Sequence, residues 1–157
     1  MKLIQPQPLT HAFPLALVVS HFNTEITEGL LTGALQRLQE HAFSEASITV
    51  VYVPGAVEIG LAAQRLAQTA QYQAIICLGA VIRGQTDHYD YVCQQVSHSC
   101  QQLALAYHMP IIFGVLTTRN RRQAWARARP NRHNKGREAV DAAIEMVSVL
   151  HQINHFT

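Results

Sequence analysis

Residues 74–92 read A-I-I-C-L-G-A-V-I-R-G-Q-T-D-H-Y-D-Y-V. An unbroken apolar run ends at Ile82, a polar turn built on Gly84 and Thr86 follows, and a new amphipathic pattern begins at His88. A run without alternation, bounded by turn residues, is the pattern of a strand covered on both faces. Beyond the turn, Val92, Val96, Cys100, Leu103 and Tyr107 recur at helical spacing. The stretch therefore predicts strand, turn and helix in succession. Glycine lets a backbone approach an anion closely, and the free N–H groups of a helix start attract negative charge. Histidine adds a group that titrates near neutral pH. The combination has the form of a phosphate seat beside a proton carrier.

Working outward, the same alternation repeats. Three more short runs rich in Val, Ile and Leu, at Leu15–Ser20, Ile48–Val53 and residues 110–116, read as buried strands. Between them lie two helical stripes, one through Ile26, Leu30, Leu31, Ala34, Leu35 and Leu38, the other through Ile59, Ala62, Ala63, Leu66, Ala67 and Ala70. Val140, Ala143, Ile144, Val147 and Leu150 mark a last helix, and residues 119–134 predict a short one broken at Pro130. The order β-α-β-α-β-α-β-α-α implies a parallel sheet with helices on both faces and right-handed crossovers. The predicted fold is α/β, a flavodoxin-like three-layer α/β/α sandwich.

The 157 residues are 48% apolar and contain no linker-like segment, which predicts one domain over residues 1–157. Residues 1–10, with Pro6 and Pro8, predict an extended N-terminal arm. Charged residues make up only 14%, against roughly 25% in ordinary soluble domains, which suggests surface hidden in a homo-oligomer. No apolar stretch approaches the roughly 20 residues of a membrane span and no signal-peptide pattern opens the chain, so a cytoplasmic location is expected and no membrane partner. Cys77, Cys93 and Cys100 are odd in number and lack metal-type spacing, so buried free thiols are expected.

Net charge is only +2, yet eight of the twelve Lys and Arg residues fall within residues 119–137, with no acid among them. Such a block could meet phosphates or nucleic acid, pair with carboxylates of a neighbouring subunit, or simply be solvated. Trp125 is the only aromatic among these arginines, so nucleic acid is the less favoured partner.

In open parallel sheets ligands collect outside the carboxyl ends of the strands. The segments expected there are Ser20-His21-Phe22-Asn23, Val53-Pro54-Gly55-Ala56-Val57-Glu58, Arg83-Gly84-Gln85-Thr86-Asp87-His88 and the stretch from Phe113 to Thr118. They would bring an aromatic ring, a carboxylate, a phosphate-like loop and a histidine to one rim. Singly, each has a plainer explanation. One of nine histidines is more often a surface residue than a catalyst, Phe22 could staple the following helix, and Glu58 could complement a helix N-terminus. No G-x-x-x-x-G-K-[ST] loop and no G-x-G-x-x-G fingerprint is present.

Five segments in order carry a more specific resemblance: Phe22-Asn23, V-P-G-A-V-E-I at residues 53–59, G-A-V-I-R-G-Q-T-D-H-Y-D-Y-V at 79–92, F-G-V-L-T-T at 113–118 and N-K-G at 134–136. Through them nearly the whole chain resembles the 6,7-dimethyl-8-ribityllumazine synthase family, transferases of the penultimate step of riboflavin biosynthesis. The resemblance implies condensation of 5-amino-6-(D-ribitylamino)uracil with 3,4-dihydroxy-2-butanone 4-phosphate, releasing phosphate and water, with no metal and no organic cofactor. It also implies that Phe22, with Asn23 beside it, stacks on the pyrimidine, and that Ala56, Val57 and Glu58 hold the ribityl chain. Ala80, Val81, Ile82 and Phe113 would complete the ring pocket. Gln85, Thr86 and Arg127 would hold the phosphate of the four-carbon substrate, the arginine reaching in from a neighbouring subunit. His88 would give and take protons, with Lys135 as an auxiliary. The implied assembly is a homo-oligomer with shared active sites, a pentamer or an icosahedral shell built from pentamers, with riboflavin synthase as a candidate partner.

The chain departs from the family pattern at Gly60, where proline is usual, and at Gln85, where Glu, Gly or Ala is common. The family also favours acids around the positions of Arg119, Arg122 and Ala126, which leaves assembly beyond a pentamer open. A rival from another class is a flavin- or lumazine-binding protein without catalysis. Thr86, His88 and Arg127 argue against it, because a binder of the product ring needs no apparatus for phosphate elimination.

Overall fold

The computed structural model describes residues 1–156. Four parallel strands, β1 (Leu15–Ser20), β2 (Ile48–Val53), β3 (Ala74–Ile82) and β4 (Ile111–Thr118), form one sheet in the order β2-β1-β3-β4. Helices α1 (Thr24–Glu40), α2 (Ile59–Gln68), α3 (His88–Tyr107), α4 (Arg121–Ala128) and α5 (Lys135–Asn154) follow the expected order, with α4 and α5 together after the last strand. The result is the three-layer α/β/α, flavodoxin-like architecture.

Strand side chains alternate between the two faces, yet β1 and β3 are buried at almost every position. Leu15, Leu17, Val19, Ile76 and Leu78 pack with residues of α1, α4 and α5, while Ala16, Val18, Ile75 and Cys77 pack with residues of α2 and α3. Burial on both faces is why these strands read as continuous apolar runs. The last strand differs from expectation. It continues to Thr118, because its register with β3 holds from Ile75 opposite Ile111 to Ile82 opposite Thr118, and Arg83 N–H extends the ladder to the Thr118 carbonyl at 2.9 Å. Phe113 is consequently a mid-strand residue rather than part of a turn after the strand.

Close backbone approach fixes the α1 layer. A side-chain carbon at Gly136 would collide with the Leu30 carbonyl, and one at Gly33 with the Asn134 amide. Asn134 lies fully buried between α4 and α5. Its side-chain oxygen caps α5 by accepting from the N–H groups of Gly136 and Arg137 at 2.8 and 3.3 Å. Its amide nitrogen donates to the carbonyls of Gly29, Ala128 and Arg129 at 3.0, 2.8 and 3.1 Å. One side chain thus satisfies the loose backbone groups of three segments.

The arm lies along α5. Gln7 N–H donates to Ser148 Oγ at 2.9 Å, and Gln152 Nε2 donates to the Gln5 carbonyl at 2.8 Å. Cys77 and Cys100 are buried, Cys93 is half-buried, and all three thiols are free. The neighbouring Cys100 sulfur and burial push the Cys77 thiol well up. No helix among the described residues is long and apolar enough to cross a membrane.

Candidate active site

After β1 the chain moves outward to β2 and then returns to the other side of β1 as β3. That reversal opens a crevice at the carboxyl ends of β1 and β3. A cavity of about 450 Å³ fills it, within the range of small-molecule sites. Its lining includes Phe22, Asn23, Ala56, Val57, Glu58, Ala80, Val81, Ile82, Gly84, Thr86 and His88. Pro54, Gly55, Tyr89 and Val92 complete the wall.

The turn carrying Phe22 is stitched to both flanking strands. His21 and Phe22 N–H groups donate to the carbonyls of Val53 and Pro54 at 2.7 and 3.0 Å, while Asn23 Nδ2 donates to the Ala80 carbonyl at 2.9 Å. Asn23 adopts φ 62°, a left-handed conformation that Asn tolerates better than most residues, and thereby turns the chain into α1. Phe22 is left 71% exposed at the pocket mouth. So large an aromatic surface, held rigidly beside a cavity, is suited to stacking on a planar ligand. The Asn23 amide is already bonded, and it positions Phe22.

On the β2 side, Gly55 is extended and Ala56–Glu58 forms one 3-10 turn before α2. Ala56 is buried, while Val57 and Glu58 are exposed along the pocket wall. The Glu58 carboxylate enters no ion pair or hydrogen bond among the described residues, so it is available to accept from hydroxyl groups.

The β3–α3 turn supplies the polar end. His88 opens α3, and its N–H donates to Thr86 Oγ1 at 3.3 Å. Nothing lies within 4 Å of where a Gly84 side chain would start, so the backbone there is open to an incoming anion. Gln85 is exposed and lies outside the cavity lining, so what it can offer is its place in the turn. Bracing comes from a residue whose part the sequence did not announce. Arg83 lies over the Tyr89 ring at 4.6 Å and reaches Asp90 Oδ1 at 2.9 Å, closing the turn across its base. Burial pushes the Tyr89 hydroxyl up. Opposite charges flanking a glycine turn at positions 83 and 90 were the available signal.

Phe113, Arg127 and Lys135 are elsewhere. They line a second cavity of about 420 Å³ along β4, the opposite edge of the sheet from β2. Phe113 is 42% exposed there. Arg127 Nη1 donates to the Gln123 carbonyl at 2.9 Å, and Lys135 Nζ pairs with Glu138 at 2.7 Å. A single subunit therefore keeps aromatic, histidine and hydroxyl groups at one site, and an aromatic, an arginine and a lysine at another. A wider groove of about 1080 Å³ between α2 and α3 offers Gln and Ser side chains but no acid, histidine, Lys or Arg. At its floor Gly60 leaves room for Ser99, whose Oγ would lie 2.5 Å from any side-chain carbon at residue 60. The small residue at that departure from the family pattern thus serves packing of α2 on α3.

Residues 12–151 match the 6,7-dimethyl-8-ribityllumazine synthase family. A 6,7-dimethyl-8-ribityllumazine synthase of Coxiella burnetii (strain CbuG_Q212) is 58% identical over 142 residues, which covers 90% of this chain and 94% of the relative. One from the Dugway 5J108-111 strain is 59% identical over the same shares. One from Salinibacter ruber is 50% identical over 135 residues, 86% of each chain. The chain belongs to the 6,7-dimethyl-8-ribityllumazine synthase family.

Proposed function

We infer that this chain joins 5-amino-6-(D-ribitylamino)uracil to 3,4-dihydroxy-2-butanone 4-phosphate, giving 6,7-dimethyl-8-(D-ribityl)lumazine, phosphate and water. The observation that carries this reading is the composition of the crevice at β1 and β3. A stacking ring at Phe22, a free carboxylate at Glu58, and a hydroxyl and histidine at Thr86 and His88 surround one cavity of suitable size.

In this reading the pyrimidine lies on Phe22, and the backbone and side chains of Ala80, Val81 and Ile82 form the floor. Ala56, Val57 and Glu58 hold the ribityl chain, with Glu58 accepting from its hydroxyls. Thr86, the Gln85 backbone and the N-terminal N–H groups of α3 hold the phosphate. The substrate amine attacks the ketone carbon, and loss of water leaves an imine. Phosphate then departs, and ring closure expels a second water. Each step moves a proton, and His88 alternates as base and acid, a contribution of roughly 10²–10⁴-fold. Holding both substrates in register supplies up to about 7–11 kcal/mol more.

Phe113, Arg127 and Lys135 complete the site from a neighbouring copy. Arg127 meets the phosphate, and Lys135 assists charge handling as it leaves. Two different patches then face each other across the interface, which is a heterologous contact that closes into a ring. A pentameric ring, or an icosahedral shell of such rings, fits this arrangement, with residues 1–157 acting as one catalytic unit. Riboflavin synthase, as consumer of the product, is the proposed protein partner. A cytoplasmic setting agrees with three cysteines left free. Mixing the protein with both substrates should yield the fluorescent lumazine. Folded protein that forms none would leave a binding protein as the better reading.

A further inference from the structure

Four of the eight basic residues in the 119–137 stretch have evident tasks. Arg121 pairs with Glu25, Lys135 with Glu138 and Arg137 with Glu40, and Arg127 lines the β4 cavity. The other four, Arg119, Arg122, Arg129 and Arg132, enter no ion pair among the described residues, and all are exposed. Helix α4 is anchored through Ala124 and Ala128, both fully buried. At 3.6 residues per turn, Arg122 and Ala126 then face away from the core, with Trp125 at the edge of the same face, while Arg129 is the extended residue that ends the helix and Arg119 and Arg132 lie in the turns on either side. Trp125, the only tryptophan of the chain, is 37% exposed.

A second copy of the chain offers no cluster of free carboxylates among its described residues to neutralise this face. The acids left without an ion pair among the described residues are Glu28, Glu45, Glu58, Asp87 and Glu145, scattered over α1, α5 and three separate turns. An anionic membrane would call for a broad apolar face beside the charge, and Trp125 is the single large apolar side chain here. A partner with regularly spaced negative charge and planar rings fits both halves of the pattern. We propose that the outward face of α4, together with the turns at its two ends, binds single-stranded nucleic acid, its phosphates on Arg119, Arg122, Arg129 and Arg132 and a base stacked on Trp125. The lone tryptophan counted against nucleic acid when read from sequence. Its exposure between two unpaired arginines reverses that weight.

The test titrates oligouridine RNA into the assembled protein, following Trp125 emission and RNA anisotropy at rising salt. Binding should quench the tryptophan, and affinity should fall with salt at a log–log slope of about −3 for four phosphate contacts. Arg122→Gln with Arg129→Gln, and separately Trp125→Leu, should each weaken binding roughly tenfold while lumazine formation is unchanged. Four results would overturn the proposal: no binding at low salt, equal binding by the glutamine double variant, inorganic polyphosphate binding as tightly as RNA, or a change of oligomer size in that variant, which would place the face between copies.

Discussion

In the proposed mechanism His88 and Arg127 divide the chemistry at the scale of single residues. His88 sits at the start of α3 with its ring exposed to the cavity, and among the described residues it caps no helix and enters no ion pair. His88→Ala should therefore leave the thermal midpoint and phosphate affinity nearly unchanged while turnover falls roughly 10²–10⁴-fold. Wild-type turnover in that variant would remove His88 from its role. Arg127→Ala should raise the apparent KM for the butanone phosphate more than that for the uracil, since its guanidinium is assigned to phosphate alone. Steady-state kinetics with each substrate varied in turn decides this, and equal effects would argue against the contact. The placement of His88, Thr86 and Phe22 around one cavity was legible because each follows a strand whose pattern was plain. The bracing by Arg83 and the bond from Asn23 to Ala80 were not, because they join residues whose contacts follow from the fold, with partners 7 and 57 positions away.

Helices α1, α4 and α5 depend on two polar centres. Asn134→Ala removes the cap of α5 and orphans buried carbonyl groups at once, and it should lower stability by about 2–4 kcal/mol. Urea unfolding checks this, and a loss under 0.5 kcal/mol would show that water or backbone movement replaces the amide. The second centre is Glu40, which binds Arg137 through both oxygens and also Arg37, tying α1 to α5. The Arg137 and then the Arg37 hydrogen bonds lower its carboxyl from 4.5 to about 2. A carboxyl depressed in the folded state stabilises above its unfolded value, and that stabilisation is lost as pH falls from about 4.5 toward about 2. Glu40→Gln should flatten this part of the stability profile, as measured by melting at stepped pH. An unchanged profile would mean that solvent screens the cluster. The elements themselves were readable from apolar periodicity. The end of β4 was not, because pairing with β3 and the Arg83 N–H extends it past its apolar residues into Thr117 and Thr118.

For the whole molecule, the decisive feature is that one chain holds two unlike cavities, at the β1–β3 crevice and along β4, which the proposed mechanism joins across an interface between copies. The sheet order makes this inevitable. Phe113, Arg127 and Lys135 belong to β4 and the two helices after it, while Phe22 and Glu58 belong to the turns after β1 and β2 on the far side of β3. The sequence showed that all these residues were present, and the scarcity of charge suggested hidden surface. The separation itself needed the three-dimensional order of strands. Complementation tests it most directly. His88→Ala and Arg127→Glu subunits are unfolded, mixed in equal amounts and co-assembled, and lumazine formation is measured at subsaturating butanone phosphate. If each site takes its crevice from one copy and its arginine from the next, about a quarter of sites regain both wild-type portions, and activity rises well above either parent. Activity equal to the average of the two parents would contradict a shared site.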